Sequence, residues 1–149
     1  YGNYIGNDNP DSLAAQVSIF NDFYAQYDIT EKLQVAATVE VNAQEKLNED
    51  GFNVAFDFFA WLRYKFTEKL SASVFFETYQ DPEQIFITTG TPNGFTLSTA
   101  ALNLAYRPEE NLAIRIEGKF FSAPDNIFPQ ENQLSDTDAF VSVSMALKF

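Results

Sequence analysis

The 149-residue sequence contains no cysteine and no histidine. Without cysteine, the chain can form neither a disulfide framework nor a thiolate metal site. Without histidine, it lacks the usual general base, the Ser-His and Cys-His nucleophile pairs and the commonest zinc ligand. We therefore expect no catalytic residue, no metal site and no cofactor, and a function other than that of an enzyme.

Positive charge and long apolar runs are also scarce. Nine Lys and Arg stand against 21 Asp and Glu, so the net charge of −12 leaves no basic surface for nucleic acid. No apolar run reaches the roughly 18 residues that a transmembrane helix requires. Aromatic residues, in contrast, make up 16% of the chain, a heavy share for an acidic soluble domain.

Apolar and polar residues alternate with a period of two along much of the chain, which predicts β-strands with one apolar and one polar side. In one such segment Val39 and Val41 share a side, and Glu40 lies on the other. An eighth strand is expected to end near Ile5, and Asn21 is the one polar misfit on an apolar side. The seven alternating segments are 13–29, 33–44, 52–66, 70–79, 96–107, 112–121 and 138–149.

The connections between these segments alternate in length. Tight links at 30–32, 67–69 and 108–111 alternate with longer polar loops at 45–51, 80–94 and 122–137. The tight links lie within a repeat, read as Y-D-I-T-E-K-L at 27–33, Y-K-F-T-E-K-L at 64–70 and Y-R-P-E-E-N-L at 106–112. Short turns at one end and long loops at the other are typical of transmembrane barrels, with the turns periplasmic and the loops extracellular.

These patterns predict an all-β fold, a transmembrane antiparallel up-and-down β-barrel with about eight strands in this chain. A tilted strand of about ten residues can cross a bilayer, and the apolar sides carry almost no charge. We expect residues 1–149 to form a single β-barrel domain and to be the C-terminal part of a longer chain with a larger barrel. The alternative is a soluble β-barrel with its apolar side inside, around an apolar ligand.

The polar sides supply the candidate lumen-lining residues. Their charges could set ion selectivity, as charged rings do in pores, or they could join neighbouring strands by ion pairs and hydrogen bonds. Inward-pointing aromatic side chains could also fill or constrict the lumen. The candidates are Glu40, Asp57, Trp61, Arg63, Lys65, Glu77, Arg115, Glu117 and Lys119.

The end of the chain, D-A-F-V-S-V-S-M-A-L-K-F at 138–149, resembles the C-terminal assembly signal of bacterial outer-membrane β-barrels. Phe149 is the final aromatic residue of that signal, and Ser144 stands where the signal usually has glycine. The repeated turn unit, the segment E-T-Y-Q-D-P at 77–82 and the segment N-Y-I-G-N at 3–7 resemble the C-terminal portion of the OmpL-like porin group, the β-barrel porin-2 family.

The resemblance implies a bacterial outer-membrane protein with its C-terminus in the periplasm, and passive diffusion of small solutes as its function. The partners implied are membrane lipid and lipopolysaccharide, the outer-membrane assembly machinery, and a homo-oligomer or an envelope complex. No catalytic residue carries over. The alternative is a non-conducting barrel that serves as a scaffold or subunit of an envelope complex, with its lumen plugged by Phe59, Trp61 and Phe75.

Overall fold

A computed structural model describes residues 1–7 and 14–149. The start of the predicted segment 13–29, at residue 13, lies outside the described residues. None of the described residues belongs to a helix long and apolar enough to cross a membrane. The strands are β1 (Gly2–Asn7), β2 (Val17–Asp28), β3 (Leu33–Glu45), β4 (Phe52–Lys65), β5 (Leu70–Asp81), β6 (Phe95–Glu109), β7 (Leu112–Ser122), β8 (Phe128–Pro129), β9 (Leu134–Ser135) and β10 (Thr137–Leu147).

Eight strands form one antiparallel sheet in the order β1-β2-β3-β4-β5-β6-β7-β10. Each strand pairs with its neighbour in the chain, except that β8 and β9 form a separate two-stranded sheet within the third long loop. Among the described residues the sheet is open, with β1 and β10 at its edges. The predicted all-β, up-and-down arrangement is confirmed, including the eighth strand near Ile5. The sequence analysis does not predict the β8–β9 hairpin, because strands of two residues are too short to show an alternation.

The repeated T-E-K-L sequence forms the same turn twice. The Thr30 hydroxyl accepts hydrogen bonds from the backbone N–H groups of Lys32 (3.2 Å) and Leu33 (3.0 Å). The Thr67 hydroxyl accepts the two equivalent bonds at the same distances. In the third copy of the repeat Glu109 stands in the place of this threonine, and the pairing of β6 with β7 shifts register before the turn instead. The repeat is therefore a turn motif that sets the register of the returning strand.

The register places apolar side chains on one side of the sheet, here called the apolar face, and the polar side chains on the other, the polar face. Val39, for example, lies directly between Phe23 of β2 and Phe58 of β4 on the apolar face. Large side chains on this face are exposed, with 51% exposure for Leu102 and 75% for Val141. The buried residues are small or polar, and those in strands belong to the polar face: Ser18, Ala36, Ala55, Ser71, Asp81, Thr99 and Ala101.

This distribution is the reverse of that in a water-soluble domain, where large apolar side chains are buried and polar ones are exposed. An exposed apolar surface of this extent is suited to contact with hydrocarbon.

Val39→Arg is expected to lower the free energy of unfolding in bilayers by about 2–4 kcal/mol, because it places a charge on the lipid side near mid-strand. Glu40→Arg introduces the same side chain one position away, on the polar face, and should have a much smaller effect. Both values can be measured by reversible urea unfolding of the full-length protein in lipid vesicles. Equal losses for the two variants would show that the faces are assigned wrongly.

Candidate functional site

The polar face carries all nine charged and aromatic residues that the sequence analysis selects. Alternation along β3, β4, β5 and β7 directs Glu40, Asp57, Trp61, Arg63, Lys65, Glu77, Arg115, Glu117 and Lys119 to this side of the sheet. Phe149 lies beyond the end of β10 and is fully exposed. The register also shows how the charges are distributed, which the sequence alone does not.

Four carboxylates gather on strands β2 to β5. Glu40 lies directly between Asp22 and Asp57, and Glu77 is diagonal to Asp57 on the next strand. We call Asp22, Glu40, Asp57 and Glu77 the acidic zone. None of the four forms an ion pair with a described Lys or Arg, and residues 1–7 and 14–149 contain no group of three or more side chains arranged to hold a metal ion. The acidic zone is therefore a region of strong negative potential.

Arginine side chains gather farther along the same face. Arg63 is six residues from Asp57 on β4, a separation of about 20 Å at 3.3 Å per residue. The sequence analysis does not select Arg107 as a candidate, and the structure places its side chain here. These side chains line a groove of ≈ 330 Å³ together with aromatic ones. We call it the arginine groove, and its principal residues are Phe59, Trp61, Arg63, Phe75, Arg107 and Arg115.

The aromatic residues of the arginine groove lie between its arginines and the acidic zone. Trp61 lies directly opposite Phe75 on the neighbouring strand, and the rings of Phe59 and Phe75 are 5.3 Å apart. The Lys119 ammonium lies 5.0 Å from the centre of the Phe75 ring, a distance at which a cation is attracted to the ring face.

One ion pair joins charges on the described part of the polar face. The Lys119 ammonium lies 3.7 Å from a carboxylate oxygen of Glu117, and the Asn103 amide donates a hydrogen bond to the other oxygen (3.4 Å). A network of ion pairs between neighbouring strands is therefore not seen among the described residues of this face, which contain this one pair. Elsewhere the acidic zone and the arginine side chains lie apart along the strands, and Asp28, at the end of β2, is the carboxylate that shares a row with Arg63.

The loop 82–94 is held by the carboxylate of Asp81, the last residue of β5. This fully buried side chain accepts hydrogen bonds from the backbone N–H groups of Ile85 (2.7 Å), Phe86 (2.8 Å) and Ile87 (3.2 Å). Gly94 closes the loop with a φ of +62°, and a Cβ there would lie 2.5 Å from the Asp81 carbonyl oxygen. The carboxylate is therefore the anchor of the loop.

The anchored loop reaches the acidic zone. Phe86 lines a pocket of ≈ 210 Å³ together with Glu40, Asp57 and Tyr79. Sequence reasoning did not select Asp81 or Phe86. The available signal was the Asp81-Pro82 pair, since aspartate before proline favours a turn in which the carboxylate binds nearby backbone N–H groups.

A second contact links this loop to the next one. Asp125 accepts hydrogen bonds from the backbone N–H of Asn93 (3.0 Å) and from its side-chain amide (3.1 Å). These bonds, the backbone bond foremost, hold the pKa of the exposed Asp125 carboxyl below its usual range. Two of the long loops are thus joined by an ionised carboxylate.

The antiparallel up-and-down sheet, its exposed apolar face and its charged polar face are typical of transmembrane β-barrel proteins. The chain belongs to the family described as putative beta-barrel porin-2, OmpL-like, whose model matches residues 1–149. Comparison with curated proteins and with solved structures gave no match. Membership of this porin-like family suggests a function other than that of an enzyme, and it argues against a soluble barrel around an apolar ligand.

Asp81→Ala should release the loop 82–94, because it leaves three backbone N–H groups without their acceptor, and hydrogen bonds to charged groups contribute about 1.5–3 kcal/mol each. We expect faster hydrogen exchange at the amides of Ile85, Phe86 and Ile87. Glu83→Ala removes the same charge from an exposed position of the loop and should leave their exchange unchanged. Unaltered exchange in Asp81→Ala would contradict the anchoring role.

The link between Asn93 and Asp125 should persist at neutral and mildly acidic pH. A carboxyl whose pKa is lowered on folding contributes stability above its unfolded value, about 3.9 for aspartate, and that stability is lost as the pH falls through the lower folded value. Amide exchange or NMR shifts at Asn93 should therefore change only below about pH 4, and Asp125→Asn should remove this transition. A transition near pH 6 would contradict the assignment.

Proposed function

We propose that the protein is a porin-type channel that allows passive diffusion of small solutes across the outer membrane. The observation that carries the proposal is the separation of charge between the two faces. Between the ends of the described strands, the apolar face has no Asp, Glu, Lys or Arg, whereas the polar face carries the acidic zone and the arginine groove. A barrel with a water-filled interior and a lipid exterior requires charged side chains on its inner face only.

The same proposal orients the chain and names its partners. The tight turns and the C-terminus face the periplasm, and the long loops face the medium, as is usual for outer-membrane barrels. Lipid and lipopolysaccharide contact the apolar face, and the assembly machinery recognises the terminal segment that ends in Phe149. A homo-oligomer or an envelope complex is a further arrangement compatible with this placement.

A second candidate function is a non-conducting barrel that acts as a scaffold or subunit of an envelope complex. The observation in its favour is the loop 82–94, whose Phe86 lies over the acidic zone. Together with Phe59, Trp61 and Phe75 on the polar face, this side chain would narrow or close a path along the sheet.

Single-channel recording of the full-length protein in planar bilayers tests the two candidates. We expect stable conductance steps whose size rises with salt concentration, because a water-filled lumen conducts by ion diffusion. Asp81→Ala, which frees the loop, should increase the conductance or its fluctuations if this loop narrows the path. Glu83→Ala is the matched control and should leave both unchanged.

Insertion without current in the unaltered protein would overturn the channel proposal. If Asp81→Ala then conducted, the loop would be identified as the plug. If neither protein conducted, the scaffold function would be favoured instead.

A further inference from the structure

All three arginines of the sequence and its single tryptophan line one groove. The arginines come from different strands, Arg63 from β4, Arg107 from β6 and Arg115 from β7. They are brought together by the strand register. Arg63 is opposite Ser73 on β5, and Arg115 belongs to the next row of paired residues on this face, two positions nearer the tight turns. The groove is thus a product of the fold, not of a local run of positive residues.

The positive charge of the groove is not neutralised by the protein. Within the described part of the chain, none of the three arginines forms an ion pair with a carboxylate. Glu117 is the carboxylate that lines the groove, and it is already engaged by Lys119 and Asn103. Three guanidinium groups therefore keep their hydrogen-bonding capacity in a chain whose net charge is −12.

We propose that the arginine groove binds small organic carboxylates that carry a flat apolar ring. A guanidinium group matches a carboxylate with two parallel hydrogen bonds. The aromatic side chains of Phe59, Trp61 and Phe75 offer flat apolar surface beside it. The volume of ≈ 330 Å³ is near the lower limit of small-molecule pockets, roughly 300–1,000 Å³, and suits a ligand with a single ring.

The acidic zone does not cancel this preference. Its nearest member, Glu77, is opposite Phe59, four residues from Arg63 on β4. This is a separation of about 13 Å, and charges in water at physiological ionic strength are screened over about 8 Å. A carboxylate in the groove therefore interacts mainly with the three arginines and with Glu117, whose charge is offset by Lys119. The inference rests on the proposed function in one respect, since the polar face must be open to solutes.

Trp61 provides a direct readout, because it is the one tryptophan of the chain and lines the groove. Titration of the full-length protein in detergent with benzoate should change the Trp61 fluorescence and reach saturation. Benzamide has the ring without the charge, and acetate has the charge without the ring. Both should bind at least about tenfold more weakly than benzoate, since each lacks one of the two interactions.

Variants test the role of the arginines. Arg63→Gln and Arg115→Gln should each weaken benzoate binding by about tenfold or more, and Arg63→Lys should restore it in part, because lysine keeps the charge but not the paired hydrogen bonds. Lys46→Gln removes a positive charge outside the groove, beside Glu49, and should leave the affinity unchanged. Heat-dependent migration on gels checks that each variant is folded.

Equal binding of benzoate and benzamide, or of benzoate and acetate, would overturn the inference, as would unchanged affinity in both glutamine variants. The outcome is separable from that of the conductance experiment. Benzoate binding without current would support the groove and reject the channel, whereas current without saturable binding would support the channel and reject the groove.

Discussion

The structure depends on the requirement that every backbone N–H and C=O group in hydrocarbon has a hydrogen-bond partner. Between the two edge strands, β1 and β10, the requirement is met by the seven ladders that join neighbouring strands of the main sheet. Once the ladders fix the backbone, side chains must alternate between two faces. A slip of one residue would exchange Val39 and Glu40 between lipid and water, so the T-E-K-L turns, which hold the register, support the separation of the faces as well as the chain reversals.

The polar face combines side chains of very different size. In the row through its centre, Ala36 is opposite Trp61, and Ala101 is opposite Phe75. Both alanines are buried, with 5% and 8% exposure. A small residue beside each large ring gives the ring room to lie along the sheet. Van der Waals contact in the protein is therefore concentrated on the polar face, while the large aliphatic side chains are left for lipid.

The strands and the faces could be predicted from the sequence because both follow from a local period of two. The nine candidate residues could be placed on one face for the same reason. The grouping of the charged residues into an acidic and a basic region could not be predicted, because it depends on how far each strand is displaced along its neighbour. Arg107 shows this limit: it joins Arg63 and Arg115 only through the pairing of β5, β6 and β7. For Asp81 the Asp81-Pro82 pair was the available signal, but it does not identify the partners, which are backbone groups of a loop without any periodic pattern.

The two charged regions of the polar face have different consequences for a solute. The carboxylates of the acidic zone lie about 13–20 Å from Arg63 along the strands, and charges are screened over about 8 Å. Each region therefore acts on a passing ion largely independently, and an ion of either sign meets one favourable and one unfavourable region. On the proposed function, the region at the narrower part of the path then decides which ions pass. Phe86 lines a pocket with Glu40 and Asp57, so a narrowing of the path by the loop 82–94 would coincide with negative charge and would favour cations there. The arginine groove lies toward the tight turns, where it holds an anion without having to admit it past the carboxylates.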